Sequence, residues 1–242
     1  ILDNINLECN YSVCLETRPG LSHARNLGIS LAENRVVAFV DDDAFVLEDW
    51  ASNIFMSFKD QKIGSVGGKI LPKFEEIPPN WFSEKYHSLY SILDIDAPFS
   101  RFSKGFGPVG ANMAVDISKL DDEIYFDTDL GRKGECLLSG EEVEFLRRFK
   151  KLGFTSYYNP DAVVFHVIPK ERLQKGLAMK RFYWGGISDY ISQPTIARKL
   201  AVSMLSLRAM AVSFFSDDKF FFECSKSAFI GIIHKVFNKV NI

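Results

Sequence analysis

The sequence has few cysteines, no excess of charge of either sign and no uninterrupted apolar run of about 20 residues. Its four cysteines form no Cys-x-x-Cys pair, which argues against a disulfide framework and predicts a reducing, cytoplasmic location. The net charge of -2 predicts no nucleic-acid partner, because nucleic-acid-binding domains usually carry a basic excess. The missing long apolar run argues against a transmembrane helix. At 242 residues, the chain can form one large domain, or one domain with an appendage.

The most informative segment is a short apolar run that is followed directly by three acids. Val36–Val40 predicts a strand buried on both faces, of the kind found in parallel sheets. Asp41, Asp42 and Asp43 must then lie past the end of that strand, where open α/β sheets bind ligands. Clustered carboxylates repel one another unless they share a cation or a hydrogen-bonding partner. The pattern favours a site for Mg²⁺ or Mn²⁺ and a phosphate, and a solvated acidic turn is the alternative.

A second group of acids opens a predicted helix after Ser139-Gly140. At roughly 100° per residue, Glu142 falls inside the apolar arc of this helix, Glu141 lies at its edge and Glu144 points to solvent. The apolar arc is formed by Phe145, Leu146, Phe149 and Leu152. An acid on the buried face of a helix N-terminus is unusual and marks Glu142 as a candidate functional residue. A solvated glutamate that complements the helix dipole is the alternative.

A histidine lies inside a strand predicted over residues 162–167. Taken alone, His166 is more often a satisfied core residue than a ligand. If His166 abuts Asp43 across the sheet, a metal-ligand role is favoured instead, because imidazole is a competent ligand for Mn²⁺-like ions.

Strands and helices alternate over the first 70 residues, which predicts an α/β fold with a mainly parallel sheet flanked by helices. The first strand is predicted at residues 11–15. Residues 72–108 form a loop rich in proline, glycine and aromatic residues, which we expect to pack over a site. Within this loop, Trp81 is either a platform for a sugar ring or part of the core.

Seven segments in this order resemble the family 2 inverting glycosyltransferases of the GT-A fold, over about residues 11–190. They are GLSHARNLG at 20–28, FVDDD at 39–43, VGG at 66–68, GANM at 110–113, FD at 126–127, GEE at 140–142, and YNP at 158–160 continuing to His166. The resemblance implies a GT-A catalytic domain over residues 1–192. The family normally begins with further strands that hold the nucleotide base. We find no counterpart ahead of Asn10 and expect the chain to lack its N-terminal strands.

The resemblance also implies roles for individual residues on the donor side. Asp41-Asp42-Asp43 corresponds to the family's DxD-type motif. Asp43 would ligate the divalent metal, Mn²⁺ or Mg²⁺, and His166 would complete the metal shell. Asp41 and Asp42 would contact the nucleotide-sugar donor, together with Arg25 and with Trp184 on a mobile stretch.

On the acceptor side, the resemblance places the catalytic base at Glu142, where the family more often has Asp. Asn112 falls on a segment that lines the acceptor site, and we place Glu141 and Trp81 there as well. The implied reaction is an inverting, hexosyltransferase-type transfer. It moves a sugar from a nucleotide-diphosphate donor to a saccharide or lipid-linked acceptor, in the synthesis of cell-surface or extracellular polysaccharide.

Two other functions remain open at this stage. A phosphatase of the haloacid dehalogenase type also places Asp-x-Asp after an apolar strand, but it normally continues with Gly-Thr-like residues, and here Ala44-Phe45-Val46 follows. A non-catalytic sugar-nucleotide or glycan-binding module, with a degenerate or incomplete donor site, is the second alternative.

Residues 193–242 form a predicted amphipathic helical extension, with helices at 195–216 and 219–240. Both helices are rich in Leu, Met and Phe and carry scattered basic residues. Such helices can lie on an anionic membrane surface, pack on the catalytic domain or join two subunits into a homodimer.

Overall fold

The structure of the protein is a computed structural model that describes residues 11–103, 106–120 and 125–237. These residues form one mixed sheet with helices on both faces. The strands are β1 (Val36–Val40), β2 (Ala44–Val46), β3 (Ile63–Phe74), β4 (Ser100–Arg101), β5 (Asn112–Asp116) and β6 (Thr155–Ile168). The helices are α1 (Leu21–Leu31), α2 (Trp50–Met56), α3 (Glu141–Lys151), α4 (Lys175–Ile191), α5 (Ile196–Phe214) and α6 (Lys219–Val236). Short 3₁₀ segments include Glu84–Tyr90 and Lys170–Leu173.

The strand order is β1-β5-β3-β6-β2, and β4 pairs with β6. Strands β1, β3 and β6 run in one direction, but only β3 and β6 are paired in parallel among the described strands. Strand β5 lies between β1 and β3 and is antiparallel to both. The prediction of a mixed α/β sheet flanked by helices is confirmed. Its parallel part is smaller than expected, because β5 inserts from a later part of the chain.

Two expectations about the N-terminal third are wrong. Strand β1 is not buried on both faces, because none of its five residues is buried and Ala38 and Val40 are exposed. Residues 11–15 form no strand, and Tyr11, Val13 and Leu15 are exposed. The expected absence of further N-terminal strands concerns residues ahead of 11, which lie outside the described residues.

The core lies on both faces of β5, whose five residues are all buried. On one face, Met113 and Val115 pack with Phe126 and Phe145 against α1 and α3. On the other face, Ala114 packs with Val66 and Ile54 beneath α2. This central strand therefore fixes α1 and α3 on the same face of the sheet.

The two predicted C-terminal helices are present as α5 and α6, but they are packed differently. Helix α6 lies directly on α4. A Cβ added to Gly186 would stand 2.1 Å from the carbonyl oxygen of Ala228, and one added to Gly231 would stand 2.2 Å from that of Tyr183. Helix α5 buries only Ser213. Within the described residues, no helix has both the length and the apolar character to cross a membrane.

Candidate active site

The turn after β1 places the first acids beside β6. Asp41 follows β1 directly, and the backbone N–H of Ala44 donates to the Asp41 carbonyl at 3.1 Å. Strand β2 then pairs with β6, with Ala44 opposite His166. The carboxylate oxygens of Asp41 and Asp43 and a ring nitrogen of His166 consequently lie within 4.8 Å of one another. His166 and Asp43 are therefore neighbours, which is the condition that the sequence set for a metal-ligand role.

The chemistry of this cluster fits a divalent cation. Nδ1 of His166 lies 2.8 Å from the carbonyl oxygen of Tyr90, which can only accept, so Nδ1 carries a proton and donates it. In the neutral ring, Nε2 then points its lone pair at Oδ1 of Asp43, 3.1 Å away. Two acceptors at this distance repel one another unless a proton or a cation lies between them. A hydrogen bond that fixes the other ring nitrogen is also the usual way in which a metal-binding histidine is oriented.

Asp41 is the most perturbed acid of this cluster. Its pKa is raised, chiefly by burial, and the charge of Asp43 adds to the effect. Arg25 and His166 lower the same pKa, while Glu142 raises it. The charges of both groups of acids therefore act on Asp41. Asp41 thus links the residues around His166 to the start of α3 in one candidate site. Asp42 is exposed on the same turn.

Two arginines that the sequence analysis did not select, Arg172 and Arg181, lie near Asp43. Arg172 binds Asp43 directly, with Nη2 2.9 Å from Oδ2. The pKa of Arg181 is lowered to about 10, chiefly by burial and also by the charges of Arg132 and Arg172, while the charge of Asp43 opposes the shift. Arg181 also donates to the carbonyl of Leu89. A cluster of guanidinium groups beside acids that can hold a metal suits a polyphosphate ligand. The only indication of these arginines in the sequence is that Arg172 lies shortly after His166, in the segment that forms the 3₁₀ turn Lys170–Leu173.

Arg25 of α1 holds the second group of acids. Its Nη1 donates to Oε1 of Glu141 at 2.9 Å and lies 3.4 Å from Oε1 of Glu142. Only 6% of Arg25 is exposed, and its guanidinium carbon lies 5.4 Å from the centre of the Phe126 ring. Helix α1 is fixed in this position because Asn26 bonds the backbone of Phe126 through both its amide nitrogen and its amide oxygen.

Gly110 makes this arrangement possible. A Cβ at position 110 would stand 2.0 Å from Nη2 of Arg25 and 2.5 Å from Oε1 of Glu142. Any other residue there would push the arginine and the glutamate out of their present positions. The glycine of the GANM segment therefore leaves the space that Arg25 and Glu142 occupy.

The orientation of α3 differs from the helical-wheel prediction. Glu141 is 3% exposed, and Glu144, which was expected in solvent, is also buried. Glu142 retains 19% exposure of its side chain. The helical-wheel prediction was wrong because arginine side chains compensate for the burial of both acids. Arg25 contacts Glu141, and Nε of Arg148 lies 2.9 Å from both carboxylate oxygens of Glu144.

Burial raises the pKa of Glu141 to about 8, and the adjacent charge of Glu142 acts in the same direction. Arg25 opposes this shift without cancelling it. Oε2 of Glu141 has no hydrogen-bond partner among the described residues. The raised pKa favours the protonated form of Glu141 near neutral pH, and its side chain is 4% exposed, against 19% for that of Glu142.

Three predicted site residues lie in other environments. Asn112 is fully buried and donates to the carbonyls of Lys69 and Ala162 at 3.0 and 2.8 Å, so it ties β5 to β3 and β6. Trp81 packs in an aromatic cluster, with its ring 4.9 Å from that of Phe220. Trp184 is half-buried on α4, one turn beyond Arg181. None of these contacts supports an acceptor-binding role for Asn112 or Trp81.

Comparisons with known proteins bear on the family to which the chain is similar. The family model for glycosyl transferase family 2 matches residues 3–122. The glucosyl-dolichyl phosphate glucuronosyltransferase of Haloferax volcanii is 26% identical over 200 residues, which is 78% of this chain and 59% of that protein. The pre-mycofactocin glycosyltransferase of Mycobacterium tuberculosis is 27% identical over 194 residues, 78% of this chain and 39% of that protein. The succinoglycan biosynthesis protein ExoM of Rhizobium meliloti is 25% identical over 171 residues, 69% of this chain and 50% of that protein.

The chain thus spans about two fifths to three fifths of the length of these relatives. Among solved structures, GalNAc-T7 with UDP, GalNAc and Mn²⁺ is similar at 15% identity with a TM-score of 0.44, over 93% of this chain and 44% of that one. The family model and the curated relatives together support a family 2 glycosyltransferase, and the mixed sheet flanked by helices is that of the GT-A fold.

Proposed function

We propose that this chain transfers a sugar from a nucleotide-diphosphate donor to a hydroxyl group of an acceptor, with inversion and with the help of a divalent metal. The observation that carries the proposal is the convergence of two groups of acids. Asp41, Asp43 and His166 form a cluster with metal-ligand chemistry, and Glu142 lies close enough to Asp41 to raise its pKa. A phosphatase or a simple acidic turn would not need the second group.

On the donor side, Asp41, Asp43 and His166 would hold Mn²⁺ or Mg²⁺. The metal would supply neutralisation of the charge that develops on the leaving diphosphate. Arg172 and Arg181 offer guanidinium groups for the same phosphates, and Arg172 already binds Asp43. Asp42 and Trp184 remain proposed donor contacts from the family resemblance. Arg25 is buried against Glu141 and Glu142, so its contacts here support a positioning role for these acids over direct binding of the nucleotide.

On the acceptor side, we propose Glu142 as the general base. It would take the proton of the acceptor hydroxyl while that oxygen attacks the anomeric carbon from the face opposite the diphosphate. The new carbon–oxygen bond forms as the bond to the diphosphate breaks, so the configuration inverts. Glu141 is suited to a different role, because it is buried and protonated near neutral pH. It would keep Arg25 beside Glu142 and would not touch the acceptor.

The names of two relatives suggest the class of acceptor. One is described as a glucosyl-dolichyl phosphate glucuronosyltransferase and another as a succinoglycan biosynthesis protein. We therefore propose a saccharide or lipid-linked saccharide acceptor, in the synthesis of surface or extracellular polysaccharide, at the cytoplasmic face of the membrane.

Calorimetric titration of the full chain with UDP, GDP and dTDP, with and without Mn²⁺, tests the proposal. We expect one nucleotide to bind in a metal-dependent way, and Asp43→Ala to weaken that binding by about tenfold or more. Asp49→Ala is the matched control, because Asp49 is exposed six residues farther along. In the presence of the matching sugar nucleotide and an acceptor, Glu142→Gln should retain nucleotide binding and lose about 10²-fold or more in transfer rate.

Binding of a nucleotide by the wild-type chain without any transfer would favour the non-catalytic binding module. Binding that is equally strong in Asp43→Ala, or that does not need metal, would contradict the proposed metal site. The anomeric configuration of the product, measured by NMR, decides whether the transfer inverts.

A further inference from the structure

Helix α5 presents a regular apolar stripe to solvent. Ile196, Leu200, Met204, Leu207 and Phe214 recur at helical spacing on one side of the helix, and each is between 45% and 79% exposed. Phe215 extends the stripe at its C-terminal end and is also exposed. This composition is unusual for the solvent-facing side of a helix in a globular protein, because the apolar stripe normally faces the core.

The side of α5 that faces the protein is the more polar one. It carries Ser203, Ser206 and Ser213, together with Val202 and Met210, and Ser213 is the only one of these that is fully buried. The amphipathic pattern of α5 is therefore inverted with respect to the molecule. Packing inside the described chain does not account for the exposed stripe, so the stripe requires an external contact.

The charges on α5 are all of one sign. Between Ile196 and Phe214 there are three basic residues, Arg198, Lys199 and Arg208, and no acidic one. At roughly 100° per residue, Arg208 lies about 90° to one side of the centre of the apolar stripe. Lys199 lies on the other side, where its Nζ is 5.2 Å from the centre of the Tyr190 ring of α4. Among the residues that the structure describes, neither Arg198 nor Arg208 forms an ion pair.

We propose that this stripe, together with Arg208 at its edge, lies on the surface of a bilayer that contains anionic lipid. The apolar side chains would enter the boundary between headgroups and acyl chains, as in other interfacial helices. Arg208 is exposed at the level where lipid phosphates would meet it, and a long basic side chain can extend to that level while its stem stays in apolar surroundings. Phe214 and Phe215 would add aromatic contacts at one end of the helix.

A second copy of the chain fits this face less well than a bilayer. Two α5 helices packed about a two-fold axis would each present the same surface to the other. Because Arg208 lies near the middle of the helix and the helix carries no acid, such a dimer would bring like charges together without compensation. Anionic headgroups supply the opposite charge that a second copy lacks. The inference does not depend on the proposed transfer reaction.

Flotation of the full chain with lipid vesicles at about 0.15 M salt tests the inference. One set of vesicles is made of phosphatidylcholine, and the other contains one quarter phosphatidylglycerol. We expect at least about tenfold more bound protein with the anionic vesicles. The paired change Leu200→Ser and Met204→Ser should remove most of this binding, and Arg208→Gln should reduce the preference for anionic lipid by about fivefold.

The matched control is Phe55→Ser with Met56→Ser, which removes two apolar side chains that are equally exposed on α2. This control should bind vesicles like the wild type, and circular dichroism establishes that every variant is folded. Absence of binding to either set of vesicles would overturn the inference, as would binding that survives the Leu200→Ser and Met204→Ser change. Light scattering that shows a dimer abolished by that change, without vesicle binding, would assign the face to a second copy.

Discussion

The N-terminal end of α3 and the outer face of α5 both reverse the usual sorting of residues, in opposite directions. At α3, the ionisable residues Glu141 and Arg25 are only 3% and 6% exposed. On α5, Met204 is apolar and 71% exposed. The two regions differ in the partners that the chain supplies. Arg25 and Glu141 contact one another within the chain, whereas Leu200, Met204 and Leu207 of the stripe stay exposed among the described residues.

This comparison indicates where each region obtains its stabilisation. The charged cluster at α3 is held by Arg25 and by the space that Gly110 leaves, so its geometry is set before any ligand arrives. Helix α6 has a similar composition, but its apolar side chains are covered by α4, which approaches it closely at Gly186 and Gly231. The apolar stripe of α5 has no such cover among the described residues. The charged cluster at α3 is therefore held by contacts within the fold, whereas the apolar stripe of α5 stays exposed among the described residues.

Among the changes that compare α3 with α5, Arg25→Met should give the largest loss of stability. Removal of one partner from a buried ion pair costs about 3–5 kcal/mol, and we expect about 3 kcal/mol at pH 7 because Glu141 can keep its proton. Denaturant unfolding measures the loss. Arg208→Met on α5 is the control and should change the free energy of unfolding by no more than about 0.5 kcal/mol. Equal unfolding midpoints for the two variants would remove the distinction between matched and unmatched regions.

Glu141→Gln should have a smaller effect, which depends on pH. The pKa of Glu141 is raised on folding, so between about 4.5 and about 8 the native state binds more protons at this group than the unfolded state does. The contribution of Glu141 to stability therefore decreases as the pH rises through this range and levels off above it. In Glu141→Gln, this decrease should be absent from the plot of unfolding free energy against pH. Glu135→Gln, at an exposed position, should keep the wild-type slope.

A steeper decrease of stability with pH in Glu141→Gln than in the wild type would contradict the raised pKa. It would also remove the distinction between the two glutamates on which the assignment of Glu142 as the base depends.

Much of the site could be predicted from local sequence. An apolar strand followed by acids, a helix that opens with Gly-Glu-Glu and a histidine within a strand each have a recognisable pattern. The fold brings Asp41, Asp43 and His166 together because β2 pairs with β6 immediately after the turn. The mixed sheet and the two C-terminal helices could also be predicted, because apolar residues recur with different periods in strands and in helices.

The remaining features depend on contacts between distant segments. Arg172 and Arg181 lie on successive elements far along the chain from Asp43, and no local pattern indicates that they come near it. The helical wheel of α3 failed because Arg25, more than 100 residues earlier, compensates for the burial of Glu141. For α5, composition predicted an amphipathic helix correctly but contained no information on which face the protein would cover.

The smallest effect in the comparison should come from Met204→Ala on α5. Met113→Ala is the matched control, because Met113 is fully buried in β5, while Met204 is 71% exposed. We expect Met113→Ala to cost about 2–5 kcal/mol and Met204→Ala no more than about 0.5 kcal/mol, measured by denaturant unfolding of dilute protein without lipid. The same chemical change then separates a side chain that the fold covers from one that it leaves exposed. A cost above about 1.5 kcal/mol for Met204→Ala would mean that the stripe is already covered in solution. Because the described chain leaves it open, a concentration-dependent unfolding midpoint would then identify self-association as the cover.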